Sequence, residues 1–196
     1  MKTYEMKGGV QNMSPHKKTN RRIAFSSLAD YPVVGSGKDG KVYRLSQDKC
    51  IKVYYDETTQ QQELKALELG QVSSIVPVLY ESGHNYTVME YIHAISLSKY
   101  IKEYNRLPSA LVERILLLFD EMKAIGFTRW DAEVRHILIT DATELKVIDL
   151  KRSLTSTTSI PTKLFQGLRK LGALPLFLRR VQTLRPDLYK EWVRYQ

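Results

Sequence analysis

Three glycines in Gly35-Ser36-Gly37-Lys38-Asp39-Gly40-Lys41-Val42 stand between two β-branched, aromatic-rich runs, YPVVG and GKVYRLS. That placement limits what can be built around them. The spacing fits G-x-G-x-x-G-x-V in full, and a dinucleotide-binding loop uses a similar triplet. There, however, the glycines open a helix whose N-terminus faces a pyrophosphate. Here a second strand follows, so the glycines belong to a hairpin. It is either a bare tight hairpin or one that folds over phosphates, since glycine lets a backbone approach a ligand closely.

Downstream, KCIKVYY is a third β-type run and DETTQQQELKALELG reads as an amphipathic helix, acidic at its start and stopped by Gly70. VPVLYES and NYTVMEYI, joined by Gly83-His84, make a further hairpin. After Ser96 the pattern turns helical. Pro108-Ser109 opens a long helix with Ser109 as candidate N-cap, Leu111, Ile115, Leu118, Met122 and Ile125 form its core stripe, and Gly126 ends it. HILITD and LKVIDL predict a short hairpin around Ala142-Thr143. The segments TKLFQGLRKLG, LPLFLRRVQTL and PDLYKEWVRY predict three short helices. No internal repeat is present.

Three charged residues stand out against this frame. Lys52 lies inside the apolar run Cys50-Ile51-Lys52-Val53, where an unpaired ammonium is costly and must find water or a partner. Asp131 lies just past the Gly126 stop, and Asp149 ends the strand Leu145-Lys146-Val147-Ile148. Lys52 on an edge strand, or either aspartate as a turn cap, would be structural only. Two carboxylates flanking a hairpin, downstream of a glycine loop and a strand lysine, suit phosphoryl transfer instead. One carboxylate orients or deprotonates a hydroxyl nucleophile, and the other holds Mg²⁺ across the phosphates. Asp131 fits the first role and Asp149 the second.

Over residues 31 to about 152 the chain resembles the protein-kinase-like superfamily, with the glycine loop, Lys52, Glu63, Met89-Glu90-Tyr91-Ile92, Asp131 and Asp149 in kinase order. Its brevity and ending are similar to the small bacterial Hanks-type serine/threonine kinases of Bacillus-like organisms. RIO-like atypical kinases are more distant. The resemblance implies an α+β, bilobal fold: a flexible basic arm over 1–22, an N-lobe over 23–93 with five antiparallel strands and one helix, and a reduced, mostly helical C-lobe over 94–196. It implies that Val34, Gly35, Ser36, Gly37, Lys38, Asp39, Gly40 and Val42 cover ATP phosphates, and that Lys52 grips them. Glu63 would hold Lys52, with Glu68 the second candidate. Glu90 and Ile92 would read adenine through backbone groups. Asp149 would carry Mg²⁺, with His136 as a further metal ligand or a packing residue beside Asp131; imidazole suits Mn²⁺ better than Mg²⁺.

The pattern departs from the family at four places. Arg129-Trp130-Asp131 replaces His-Arg-Asp, Glu133 replaces a lysine, His136 replaces the metal-binding asparagine, and Asp149-Leu150-Lys151-Arg152 replaces Asp-Phe-Gly. The last two are similar to lipopolysaccharide-core sugar kinases. Three readings follow: an ATP-dependent serine/threonine protein kinase, a small-molecule or glycan kinase, and a nucleotide-binding pseudokinase.

Composition trims the remaining classes. The 196-residue chain carries a net charge of +9, but unevenly. Residues 1–22 hold six Lys/Arg against one Glu and residues 151–196 hold ten against two acids, while 23–150 is mildly acidic. The basic ends predict at most a weak, salt-sensitive attraction to nucleic acid, without a stacking platform. No apolar run reaches the roughly 20 residues of a membrane span, no secretory h-region opens the chain, and one cysteine, Cys50, suits a reducing compartment. The expectation is a cytoplasmic monomer that takes ATP and a protein acceptor.

Overall fold

The structure, a computed structural model, describes residues 16–195. The short β-runs of the first half, β1 (Lys17–Lys18), β2 (Val33–Gly37), β3 (Gly40–Arg44), β4 (Lys49–Tyr54), β5 (Leu79–Ser82) and β6 (Tyr86–Glu90), form one sheet in the order β1-β5-β6-β4-β3-β2. The five expected strands pair antiparallel. A sixth, β1, runs parallel to β5. From His16 onward, therefore, part of the expected flexible arm is laid along the sheet. Thr19 N–H donates to the Ser82 carbonyl at 2.8 Å and His84 N–H to the Arg21 carbonyl at 2.9 Å. Backbone pairing and polar side-chain contacts such as Thr19 Oγ1 to the Tyr86 hydroxyl at 2.9 Å, not a hydrophobic period, hold this segment, so its sequence carries no strand pattern. Residues 1–15 of that arm lie outside the described residues.

Helix α1 (Glu57–Gly70) starts at Asp56, whose carboxylate accepts the Thr59 N–H at 2.7 Å. Its buried residues, Gln60, Glu63, Ala66, Leu67 and Gly70, recur at helical spacing, which turns Glu63 toward the sheet. Gly70 is the last helical residue, as expected, but it is not a left-handed cap; the cap position is Gln71, in the right-handed region. Space explains the glycine, because a Cβ there would lie 2.9 Å from both γ-carbons of Val76.

The second half contains β7 (Ala94–Ser96), α2 (Leu97–Tyr104), α3 (Ser109–Ile125), β8 (Ile137–Thr140), β9 (Leu145–Val147), α4 (Thr162–Lys170), α5 (Leu174–Leu184) and α6 (Pro186–Trp192). Strands β7-β8-β9 make an antiparallel three-stranded sheet. Ser96 caps α2 by accepting the Lys99 N–H at 3.2 Å. In α3 the cap position is Pro108 and Ser109 is the first helical residue; the Pro108 carbonyl takes the Leu111 and Val112 N–H groups at 3.0 and 3.1 Å, so no hydroxyl cap is needed. Gly126 ends α3 as expected, left-handed at φ 101°.

This is an α+β fold with a six-stranded sheet followed by helices. One continuous core joins the halves: Ala66, Leu67, Val76 and Met89 from the first belong to the same buried cluster as Ile115, Phe119, Leu164 and Trp192. A smaller cluster of Leu28, Tyr43, Ile51, Val53 and Tyr86 lies apart from it. Among the described residues, no helix is long and apolar enough to cross a membrane.

Candidate active site

The β2–β3 hairpin, β4, the segment from Met89 to Ile92 and the end of the β8–β9 hairpin enclose a cavity of about 670 Å³. Register decides what faces it: Lys52 sits opposite Val42 on one side and Thr87 on the other, so Val42 and Lys52 share a sheet face. Lys52 Nζ lies 2.5 Å from Glu63 Oε2, and the two side chains are only 13% and 4% exposed. Nζ also stands 4.8 Å over the Tyr54 ring. Burial raises the Glu63 carboxyl above its ordinary range, with Lys52 pulling the other way. Glu68, the second candidate partner, instead meets Lys18 at 2.7 Å.

Asp149, Asp39 and Lys151 close the cavity's inner end. Asp149 is left-handed at φ 60°, a conformation that costs a non-glycine residue free energy. Its Oδ2 lies 3.4 Å from His136 Nε2 and its Oδ1 3.4 Å from Lys151 Nζ, which also pairs with Asp39 on the glycine hairpin. Burial acts to raise the Asp149 carboxyl, but Lys52, His136 and Lys151 together bring it below the ordinary value. Burial lowers the His136 imidazole against the opposing pull of Asp149, so the ring is neutral at pH 7. Lys151 moves upward: desolvation opposes its charge, but Asp39 and Asp149 outweigh it.

Asp149 Oδ1 is buried and accepts no hydrogen bond from the described residues, which fits an oxygen that would ligate a cation. No cluster of three His, Cys, Asp or Glu able to hold a metal occurs among the described residues. Asp149 and His136 are the residues that could hold Mg²⁺ or Mn²⁺, and phosphate and water oxygens would have to complete its coordination.

Asp131 does not line the first cavity. It borders a second one, of about 250 Å³, which shares Lys38, His136, Asp149 and Lys151 with the first. The two compartments therefore meet at Asp149. The Asp131 carboxylate is fully enclosed. Arg129 Nε donates to Oδ1 at 2.8 Å, while the Thr162 hydroxyl and the Lys163 N–H each donate to Oδ2 at 3.1 Å. Asp131 thereby caps the start of α4. Its neighbour Trp130 is anchored in the core, 5.2 Å from Phe119 and 6.4 Å from Trp192 between ring centroids.

At the cavity's outer end, the Glu90 N–H donates to Val78 and the Tyr91 N–H to Asp48, both at 2.8 Å. Ile92 lies outside any strand, and its backbone makes no hydrogen bond among the described residues. Of the two expected adenine readers, Ile92 has both backbone groups available, whereas Glu90 offers only its carbonyl, with Cys50 Sγ at 3.5 Å. The Glu90 carboxylate is held at 2.8 Å by Lys146. Burial pushes the Cys50 thiol up to about 12, so it is not a nucleophile here.

The sequence marked Lys151 only as a departure from Asp-Phe-Gly, without a role in the site, and did not single out Thr162, Lys163 or Lys146. Lys151 and Asp39 are 112 residues apart, and no local period announces such a pair. A lysine in the glycine position of Asp-x-Gly was the one available signal.

No protein-family model matches the chain. It is similar to a Bacillus subtilis (strain 168) protein named "Putative serine/threonine-protein kinase YrzF", being 23% identical over 155 residues that cover 76% of this chain and 72% of that protein. The likeness supports a kinase-like relationship, and kinase-type transfer in general terms.

Proposed function

We propose that this protein is an ATP-dependent phosphotransferase that delivers the γ-phosphoryl group to a serine or threonine hydroxyl. The observation that carries the reading is the buried Lys52–Glu63 pair, which shares one cavity with Asp149 beneath the glycine hairpin. A buried ammonium held by a carboxylate and aimed into a cleft is a fixed positive charge, and phosphates need one. Open space supports the same reading: a Cβ on Gly37 would meet nothing within 4 Å, so a phosphate can approach that backbone.

In this reading Lys52 holds the phosphates, Glu63 fixes Lys52, and Ile92 orients the base through its backbone. Asp149 and His136 hold Mg²⁺ or Mn²⁺, which supplies charge neutralisation on the phosphates. Asp131 takes the acceptor proton. The Thr162 hydroxyl already donates to Asp131 Oδ2 at 3.1 Å, so an acceptor hydroxyl reaches that oxygen by taking the place of Thr162.

A second reading, nucleotide binding without transfer, is favoured by the enclosure of Asp131. Asp131→Asn separates the two. The amide oxygen can still accept from Lys163, but the amide nitrogen then faces the Arg129 Nε donor, so the melting temperature is expected to fall. Transfer from labelled ATP, measured below the variant's melting range, is expected to fall about 100-fold or more, with ATP binding little changed. Unaltered transfer would show that Asp131 is only a helix cap.

A further inference from the structure

Beyond the second cavity lies a third, of about 520 Å³, built by three elements. From α4 come Lys163, Gln166, Gly167 and Lys170, which recur at i, i+3, i+4 and i+7 and so share one helical face. From α2 come Ser98 and Lys102, one turn apart, and the floor is the segment from Glu133 to Arg135. Gly167 sets how closely α4 sits on that floor, since a Cβ there would lie 2.5 Å from Val134 Cγ2. The groove is continuous with the second cavity through Glu133, Arg135 and Lys163.

Its charge is one-sided. Four cations, Lys102, Arg135, Lys163 and Lys170, face a single carboxylate, Glu133, and that carboxylate is held by Arg135 at 2.8 Å. Among the described residues none of the three lysines has a carboxylate within 4.0 Å. Some lysines on other helix faces do, Lys99 pairing with Glu103 at 3.5 Å and Lys190 with Asp187 at 3.6 Å, although Lys65 on α1 does not. On α2 itself, Lys99 is paired while Lys102, facing the groove, is not. Like charges gathered in a concave site repel one another, and such a site attracts an anion from solution.

We infer that this groove seats an acidic peptide segment next to the acceptor residue, so that the substrate class is a serine or threonine flanked by aspartate or glutamate. The inference rests on the kinase reading above. Length argues for a peptide over a small anion. Lys163 and Lys170 are seven residues apart on α4, about 10.5 Å along the axis. An extended chain covers that in about three residues. Lys102 and Lys170 line the groove but not the second cavity beside Asp131, so an acceptor confined to that cavity does not meet them.

The test uses the full chain with labelled ATP, Mg²⁺ or Mn²⁺, and three serine peptides whose flanking residues are four acids, four neutral residues or four bases. A hexose phosphate serves as a further acceptor. The acidic peptide is expected to show kcat/KM at least 10-fold above the neutral one. Lys102→Glu with Lys170→Glu is expected to collapse that preference to near unity, mainly through KM. Equal use of neutral or basic peptides, or an undiminished preference in the double variant, overturns the inference while leaving the kinase reading intact; preferential use of hexose phosphate overturns both the inference and the serine or threonine acceptor, and leaves only ATP-dependent phosphoryl transfer.

Direct binding covers the remaining case. Should no acceptor be labelled and Asp149→Asn match the wild type, the kinase reading fails, and fluorescence anisotropy then decides the groove alone. Acidic-peptide binding that weakens with salt and is lost in the double variant supports it, and binding unaffected by the double variant refutes it.

Discussion

At the scale of single residues, the site is a set of charges whose environments pull in opposite directions. Glu63 is buried and His136 partly so, and burial penalises the charged form of each. For His136 this lowers the folded pKa below 6.5, so the folded protein binds fewer protons than the unfolded chain around pH 6. The associated stability is therefore present above pH 6.5 and is lost as pH falls beneath it. Glu63 behaves with the opposite sign: its folded pKa is raised, so its contribution is present at low pH and declines as pH rises past about 4.5. Replacing His136 with Asn removes one titrating group without removing the others. The melting temperature of the wild type is expected to drop between pH 7 and pH 5 more steeply than that of His136→Asn. Parallel curves would mean that the imidazole is not held neutral by burial. Because a protonated ring beside Asp149 would compete with a metal, nucleotide binding in Mg²⁺ should weaken over the same window in the wild type, and less in the variant.

Elements translate those residues into geometry, and here the readability of the sequence divides cleanly. Lys52 and Glu63 are eleven residues apart, on a strand and the helix that follows, so patterning alone brings them together. The glycine hairpin was equally legible, although its three glycines are not equivalent. Gly40 lies at φ 155°, where a side chain would be strained and its Cβ would run into the Val53 carbonyl, whereas Gly37 has open space. Only the first is demanded by the fold; the other is left for a ligand. What the sequence hid depends on α4, a helix expected from its period but with no hint of where it docks. Its N-terminus is capped by Asp131, 31 and 32 residues earlier in the chain, and its middle leans on Val134 through Gly167. Strand β1 was hidden for a different reason, being two exposed lysines held by backbone pairing to β5 and by the Lys18–Glu68 ion pair, neither of which leaves a hydrophobic period. Gly167→Ala tests α4 as a unit. Its methyl group would overlap both γ-carbons of Val134, at 2.5 and 2.8 Å, and must push the helix or the loop aside. Overpacking of this kind costs about 1–3 kcal/mol, and calorimetry should find it. Gly37→Ala, with nothing to strike, should leave stability within about 1 kcal/mol of the wild type and act only on nucleotide affinity.

For the whole molecule, the question is whether the sheet-rich and helix-rich halves stand or fall together. The kinase resemblance implied two lobes around a cleft, yet the buried cluster runs without a break from Ala66 and Met89 to the C-terminal helices. Trp192, 1% exposed, is the keystone of the far side: its ring lies 5.7 Å from Phe165, 6.5 Å from Phe177 and 6.4 Å from Trp130. Trp130 in turn precedes Asp131, so the last turn of α6 supports the loop at the centre of the site. Truncating a buried tryptophan costs about 3–5 kcal/mol, and in a chain of 196 residues each kcal/mol moves the melting point by about 2–4 °C. Trp192→Ala should therefore melt roughly 6–20 °C lower. A continuous core further demands that far-ultraviolet dichroism, reporting both halves, and tryptophan fluorescence, reporting only the C-terminal half, fall in one coincident transition in both proteins. Both tryptophans lie beyond residue 129. If fluorescence changed first while the sheet signal persisted, the halves would be separable, and Trp192 would support the Asp131 loop without supporting the cavity that holds Lys52 and Glu63.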